Sequence, residues 1–150
     1  MGKVFSLLTL GNSQKNEAIY FLRFFDDSPS QMERVETKED ATRVGAILVK
    51  QPFSGGGTNF DRALRTAMDD IKKDKETFDK VEIMLITDGD CDTSVTKKEL
   101  DGIKLHTTVI DGRNGILEQI SETYTVLSTA EIMEQFNLES SDVNSGFNFY

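Results

Sequence analysis

A chain of 150 residues with 37% hydrophobic and 29% charged residues has the balance of a globular domain and room for one hydrophobic core rather than two. Seventeen basic against 26 acidic residues give a net charge of -9, which argues against phosphate-backbone binding as the main task, and no apolar run approaches the roughly 20 residues of a membrane span. A single cysteine, Cys91, and a single histidine, His106, exclude an intramolecular disulfide and a conventional Cys/His zinc site, and the N-terminus lacks the pattern of a secretion signal, so a reducing, cytoplasmic location is expected.

In chain order, Lys3 to Leu10 is apolar without a clean period and suits either a strand or the end of a helix, stopped by Gly11-Asn12. Ala18 to Phe25 is rich in aromatic and branched residues and predicts a strand, with Phe21, Phe24 and Phe25 in the core and Arg23 facing solvent or an edge. Asp26-Asp27-Ser28-Pro29-Ser30 is a loop near the carboxyl end of that strand, and Met32 to Thr37 a short extended edge segment. The acidic residues in Lys38-Glu39-Asp40 open a helix to about Lys50 that carries Val44, Ile47 and Leu48 on one face and is closed by Pro52.

Beyond the Gly55-Gly56-Gly57 loop, Thr58 or Asn59 caps a helix of about sixteen residues, on which Phe60, Ala63, Leu64, Ala67, Met68 and Ile71 recur at helical spacing. Val81 to Ile86 is a near-continuous apolar run, as a buried parallel strand should be. The remaining pattern predicts a helix over Thr96 to Ile103, a strand over Lys104 to Ile110 containing a half-buried His106, a helix over Arg113 to Thr123, a strand over Tyr124 to Leu127 and a helix from Thr129 to about Phe136. Residues 1–137 then form one domain, and the Ser-, Asn- and Asp-rich residues 138–150 a flexible C-terminal tail. The alternation of strands and helices predicts a three-layer, Rossmann-like α/β fold with a mostly parallel sheet and helices on both faces.

In such a sheet ligands sit at the carboxyl ends of the strands, where the Gly55–Thr58 loop and the Asp88–Asp92 loop would both emerge. Three glycines permit positive φ and a close backbone approach, presenting the Thr58 hydroxyl beside a helix N-terminus. Asp88, at the end of a buried strand, offers a hard carboxylate donor, and Asp90 and Asp92 follow it. Asp at alternate positions with Glu99 eleven residues after Asp88 also echoes a calcium-binding loop, although Thr93 stands at the position where glycine is expected. A further alternative is a small metal-dependent hydrolase or phosphatase using Asp88, Asp90 and Asp92, with Asp90 as nucleophile and Asp92 as acid. No Ser/His/Asp or Cys/His constellation accompanies them, so the expectation is a binding protein rather than an enzyme.

The run FSGGGTNFDRAL followed by VEIMLITDGD resembles the von Willebrand factor A family, and most closely its intracellular bacterial branch, whose members often work beside MoxR-type AAA+ ATPases. The resemblance implies a metal-ion-dependent adhesion site, usually holding magnesium, built from an Asp-x-Ser-x-Ser after the first strand, a Thr in a glycine-rich loop and an Asp ending a later strand. Thr58 matches the second element and Asp88 the third, with Asp90 as a weaker third donor. It further implies a protein partner, an AAA+ system among the candidates, whose acidic side chain completes the coordination of Mg2+ or another divalent cation.

The first element has no match ahead of Ala18, and the family would place it before a helix leading into that strand. The likeness therefore covers the last two thirds to three quarters of such a domain, with Lys3 to Leu10 aligning with the later part of that helix. A missing central strand would leave donors and acceptors unpaired on both flanking strands. Three remedies are open: Val4 to Leu10 recruited as a substitute strand, a second copy of the chain giving a homo-oligomer, or a chain that is a fragment of a longer protein. Metal binding without the two serines would be weak or absent, unless Asp90, Asp92 or Ser13 substitutes.

Overall fold

The computed structural model of the chain describes residues 5–12, 18–25, 28–50, 58–73 and 80–144. The N-terminal apolar segment takes the strand option as β1 (Phe5–Asn12), and the aromatic run that follows is β2 (Ala18–Phe25). These pair antiparallel from Phe5↔Phe25 to Asn12↔Ala18. The segment after the loop gives β3 (Glu33–Val35), antiparallel to β2. The Val81 run is β4 (Lys80–Thr87), followed by β5 (Lys104–Ile110) and β6 (Thr123–Leu127).

The strands form one sheet in the order β3-β2-β1-β4-β5-β6. β4, β5 and β6 are parallel to one another, as crossovers through helices require. The other ladders are antiparallel, including β1 against β4 from Ser6↔Ile86 to Asn12↔Lys80. The sheet is therefore mixed rather than mostly parallel, because β1, β2 and β3 follow one another without a crossover helix.

Register assigns the two faces. Ile83 and Leu85 on β4, Leu105 and Val109 on β5, and Phe25 on β2 share one face and are buried there. Helix α2 (Phe60–Lys73) covers that face with the apolar stripe expected of it: Phe60, Ala63, Leu64, Ala67, Met68 and Ile71 are all buried. Phe60 meets Phe25 edge to face, with ring centroids 6.0 Å apart. Leu100 from α3 (Lys97–Leu100) and Leu117 from α4 (Gly115–Ile120) complete the same core. On the opposite face, α1 (Lys38–Lys50) lies at the β3 edge, where Arg43 pairs with Glu33 at 2.6 Å and Val44 is buried, as is Phe24 on that face.

Arg23 departs from its expected solvent or edge position. It stands on the α2 side of the sheet, where its guanidinium pairs with Asp70 on α2 at 2.8 Å and donates to the Ser30 carbonyl at 2.6 Å. Phe21 is half-buried rather than in the core, with the Arg34 guanidinium 5.6 Å from its ring centre.

Three helices differ in length from expectation for local reasons. α3 starts at a capping box between Thr96 and Glu99 and stops because Asp101 and Gly102 turn left-handed, at φ 48° and 81°. α4 is held to six residues between its Asn114 cap and the extended Ser121. α5 (Thr129–Asn144) runs through residues assigned to a tail, because no Gly or Pro interrupts that stretch.

Phe60 is wholly buried at the junction of α2 and the sheet. A Phe60→Ala variant should lose about 3–5 kcal/mol in urea unfolding with little change in the denaturant slope, since the site cannot collapse around the cavity.

Candidate functional site

The candidate site is the loop that leaves β4 at Asp88. Buried Thr87 accepts the Gly89 amide on its hydroxyl at 3.1 Å, and Asp88 accepts the Asp90 amide on Oδ1 at 3.1 Å, so the chain turns sharply at the strand end. Gly89 has φ 77°, and a Cβ there would meet Val109 Cγ1 at 2.9 Å and the Arg113 carbonyl at 3.2 Å. Gly112, from the neighbouring strand end, approaches so closely that a Cβ would sit 2.1 Å from the Asp88 carbonyl.

Asn114 clamps the loop from the β5 side. It is 6% exposed, and its Nδ2 donates to the carbonyls of Gly89 at 3.1 Å and Cys91 at 2.5 Å. Its Oδ1 accepts the amides of Ile116 and Leu117, which caps α4, and its own amide donates to the Tyr124 hydroxyl at 2.7 Å. Both donors and both acceptor sites of one buried amide are thereby used.

The opposite flank of the loop is tied to α2. Cys91 Sγ lies 3.0 Å from the Thr58 carbonyl, and Asp61 in the first turn of α2 accepts the Thr93 hydroxyl at 2.5 Å, the Ser94 amide at 2.7 Å and the Ser94 hydroxyl. Burial alone would raise the Asp61 carboxyl, but these bonds and the Arg65 charge outweigh it and hold the group at about 2, below its ordinary 3.8. Arg65 bridges onward from Asp61 to Glu99 at 3.2 Å.

The structure thus brings the Thr58 segment and the Asp88–Asp92 loop side by side at one end of the sheet. Thr58 and Asp88 are half-buried, Asp90 and Asp92 exposed. Among the described residues no three His, Cys, Asp or Glu side chains gather so as to hold a metal, so Asp88, Asp90 and Asp92 do not converge as the hydrolase alternative requires. Asp88 turns back on the Asp90 amide instead. The calcium-loop reading also loses its last ligand, because the Glu99 carboxylate caps α3 at the Thr96 amide and pairs with Arg65.

The Thr58 hydroxyl and the Asp88 and Asp90 carboxylates are hard oxygen donors, a set that suits a magnesium ion retaining several waters rather than an all-protein cage. Gly55–Gly57, Asp26, Asp27 and Ser13 lie outside the described residues. Phe25, which precedes Asp26, pairs at the Asp88 end of the sheet, whereas Asn12, which precedes Ser13, pairs with Lys80 at the other. Seven residues of strand, about 23 Å, separate Asn12 from the Thr87 end.

Asp61 and Asn114 were not singled out by sequence reasoning. Asp61 falls among the polar positions of the helix predicted after Thr58 or Asn59, and Asn114 stands inside a predicted helix that in fact begins after it. Their partners lie 33 and 25 residues away, so no local pattern marks them.

Asp61→Asn should cost roughly 1–2 kcal/mol at pH 7, allowing for partial exposure of the group. Because the folded-state pKa is depressed, the wild-type advantage is complete above the unfolded value of 3.8 and fades as pH falls toward about 2. Urea melts of both proteins across that window should converge. Asn114→Asp keeps the α4 cap but aims a carboxylate at two buried carbonyls, which should cost roughly 2–4 kcal/mol. Hydrogen exchange should quicken at residues 89–95 while the Ile116 and Leu117 amides stay protected.

No family model matches the chain, and no solved structure matches it. Among curated proteins it is similar to an uncharacterized protein of Methanocaldococcus jannaschii, 36% identical over 92 residues, or 61% of this chain. Those residues make up 20% of that relative, so the chain spans about a fifth of the length of the curated protein it matches.

Proposed function

We propose that the chain is a protein-binding module of von Willebrand factor A type, whose binding edge is the end of the sheet where Thr58 and Asp88 meet. The observation that carries this reading is the 3.0 Å approach of Cys91 Sγ to the Thr58 carbonyl, which makes neighbours of two motifs thirty residues apart in the sequence. Support also comes from the setting: parallel strands β4, β5 and β6 direct their carboxyl-end loops to that edge, as ligand-binding α/β sheets do. On this reading β1, which lies between β2 and β4, stands in for the central strand that the resemblance leaves missing.

On this reading Thr58 and Asp88, with Asp90 behind them, offer a divalent cation part of its oxygen shell, and an acidic group of a partner protein supplies more. Without the family's two serines the cation is held weakly by the chain alone. The metal then acts as adhesive, and no bond is made or broken. By the same resemblance an AAA+ ATPase system is the partner class to test first. Docking of a protein on this edge without metal is the second form of the reading, favoured by the lack of any three-carboxylate cluster among the described residues.

Titration calorimetry with magnesium and manganese tests the choice. The wild type should bind with a roughly millimolar dissociation constant, and Thr58→Ala should weaken binding at least about tenfold by removing a direct ligand. Equal heats from the two proteins would remove Thr58 from the site, and absence of heat from the wild type would leave the metal-free form.

A further inference from the structure

We propose that the chain forms a two-fold dimer in which α5 of each copy lies across the uncovered sheet face of the other. The inference is independent of metal binding. Its first ground is the inequality of the two faces. Ile83 and Leu85 on β4 are fully buried under α2, whereas Met84 between them is 41% exposed, and Tyr20 on β2 is 39% exposed on the same face. Both strands are interior to the sheet. Among the described helices, α1 lies against this face, and it is placed at the β3 edge. An exposed apolar surface over central strands is characteristic of an interface.

The second ground is α5 itself. It has 16 residues, yet Ala130, Met133 and Glu134 are exposed, Met133 at 54%, and Ile132 is only half-buried. A helix of this size draws most of its stability from burying one side, and none of the described α5 side chains, residues 129–135 and 137, is buried.

The start of α5 is tied to its own sheet. Ser128 alone separates β6 from α5. The Asp111 carboxylate accepts the Thr129 amide at 2.8 Å and also the Thr129 hydroxyl, while Ser128 and Glu131 exchange amide and side-chain bonds. Those bonds fix the direction in which α5 leaves the sheet. A second copy meets no such restriction, and an exchange of identical elements closes as a two-fold dimer.

Charge and size agree. The α5 sequence carries Glu131, Glu134, Glu139 and Asp142 and no Lys or Arg. On the open face Lys80, Lys104 and His106 surround the single carboxylate of Glu82, with Lys80 at 2.8 Å and His106 at 3.6 Å. Sixteen helical residues span about 24 Å and eight strand residues about 26 Å, so the helix matches the strand it would cross.

Sedimentation of the full chain at roughly 50 µM tests the dimer, a concentration that populates any complex of low-micromolar dissociation constant. The wild type should show about twice the 16.8 kDa chain mass, and Met84→Asp and Met133→Asp should each show the single mass with unchanged far-ultraviolet circular dichroism. An equimolar mixture of the two variants should recover dimer in part, because one of its two contacts pairs a wild-type helix with a wild-type face. A monomeric wild type overturns the proposal, as does a dimer that survives both substitutions. Should Met84→Asp fail to fold, Met133→Asp decides alone, since that side chain already lies in water.

Discussion

The fold depends on the double pairing of β1. A strand that bonds β2 along one edge and β4 along the other, over seven or eight residues on each side, joins an antiparallel hairpin to a parallel three-stranded unit, and neither half is a complete layer alone. Its direction has a consequence for chemistry. Running opposite to β4, it brings its first residues to the Asp88 end and leaves Asn12 beside Lys80, at the end away from the candidate site. Metal donors placed after a first strand would need that strand parallel to β4. On the metal-binding reading proposed above, the orientation of one strand therefore limits how much of a coordination shell the chain would supply.

What the chain retains at that end is a firmly built loop. Asn114 holds it through two carbonyls from the β5 side, Asp61 through two hydroxyls and an amide from the α2 side, and Gly112 packs against the Asp88 backbone. Each tie would contribute about 1 kcal/mol in isolation, and more where a buried polar group would otherwise go unpaired. The two anchors belong to elements on opposite sides of β4, so a loop that could have been a loose turn has its backbone specified from both. Rigid presentation of a few oxygen donors lowers the ordering cost of binding, and the loop is constructed accordingly.

The helices and parallel strands were legible because their signals are local. The stripe on α2 from Phe60 to Ile71 and the apolar run of β4 each carry their own period, and the structure places both within two residues of the expected bounds. Direction and pairing are not local. Nothing in Val4 to Leu10 distinguishes an antiparallel insertion from a helix end, and nothing near Arg23 announces Asp70, 47 residues on. Ser, Asn and Asp in residues 138–144 suggest a loop-forming tail, whereas the backbone there is helical as part of α5, where the absence of Gly and Pro lets the helix continue. At the site, Thr58 and Asp88 were legible as a motif pair, while Asp61 and Asn114 act through tertiary hydrogen bonds that leave no periodic trace.

β4 joins three separate properties of the molecule. Its odd residues, Ile83 and Leu85, lie in the core beneath α2; its even residue Met84 faces solvent on the other side; and its end delivers Asp88 to the candidate binding edge. Strand geometry keeps these apart, since successive side chains point to opposite faces and the strand end lies along a third direction. A protein docked at the Thr58 and Asp88 edge and a second copy seated on the open face would thus not compete for the same surface. Self-association through that face would leave two identical edges available, and a partner that presents its acidic groups in a ring or array would then be met bivalently, where linkage raises the apparent affinity of contacts that are individually weak. The proposed metal edge and the proposed dimer face would therefore be compatible in one assembly.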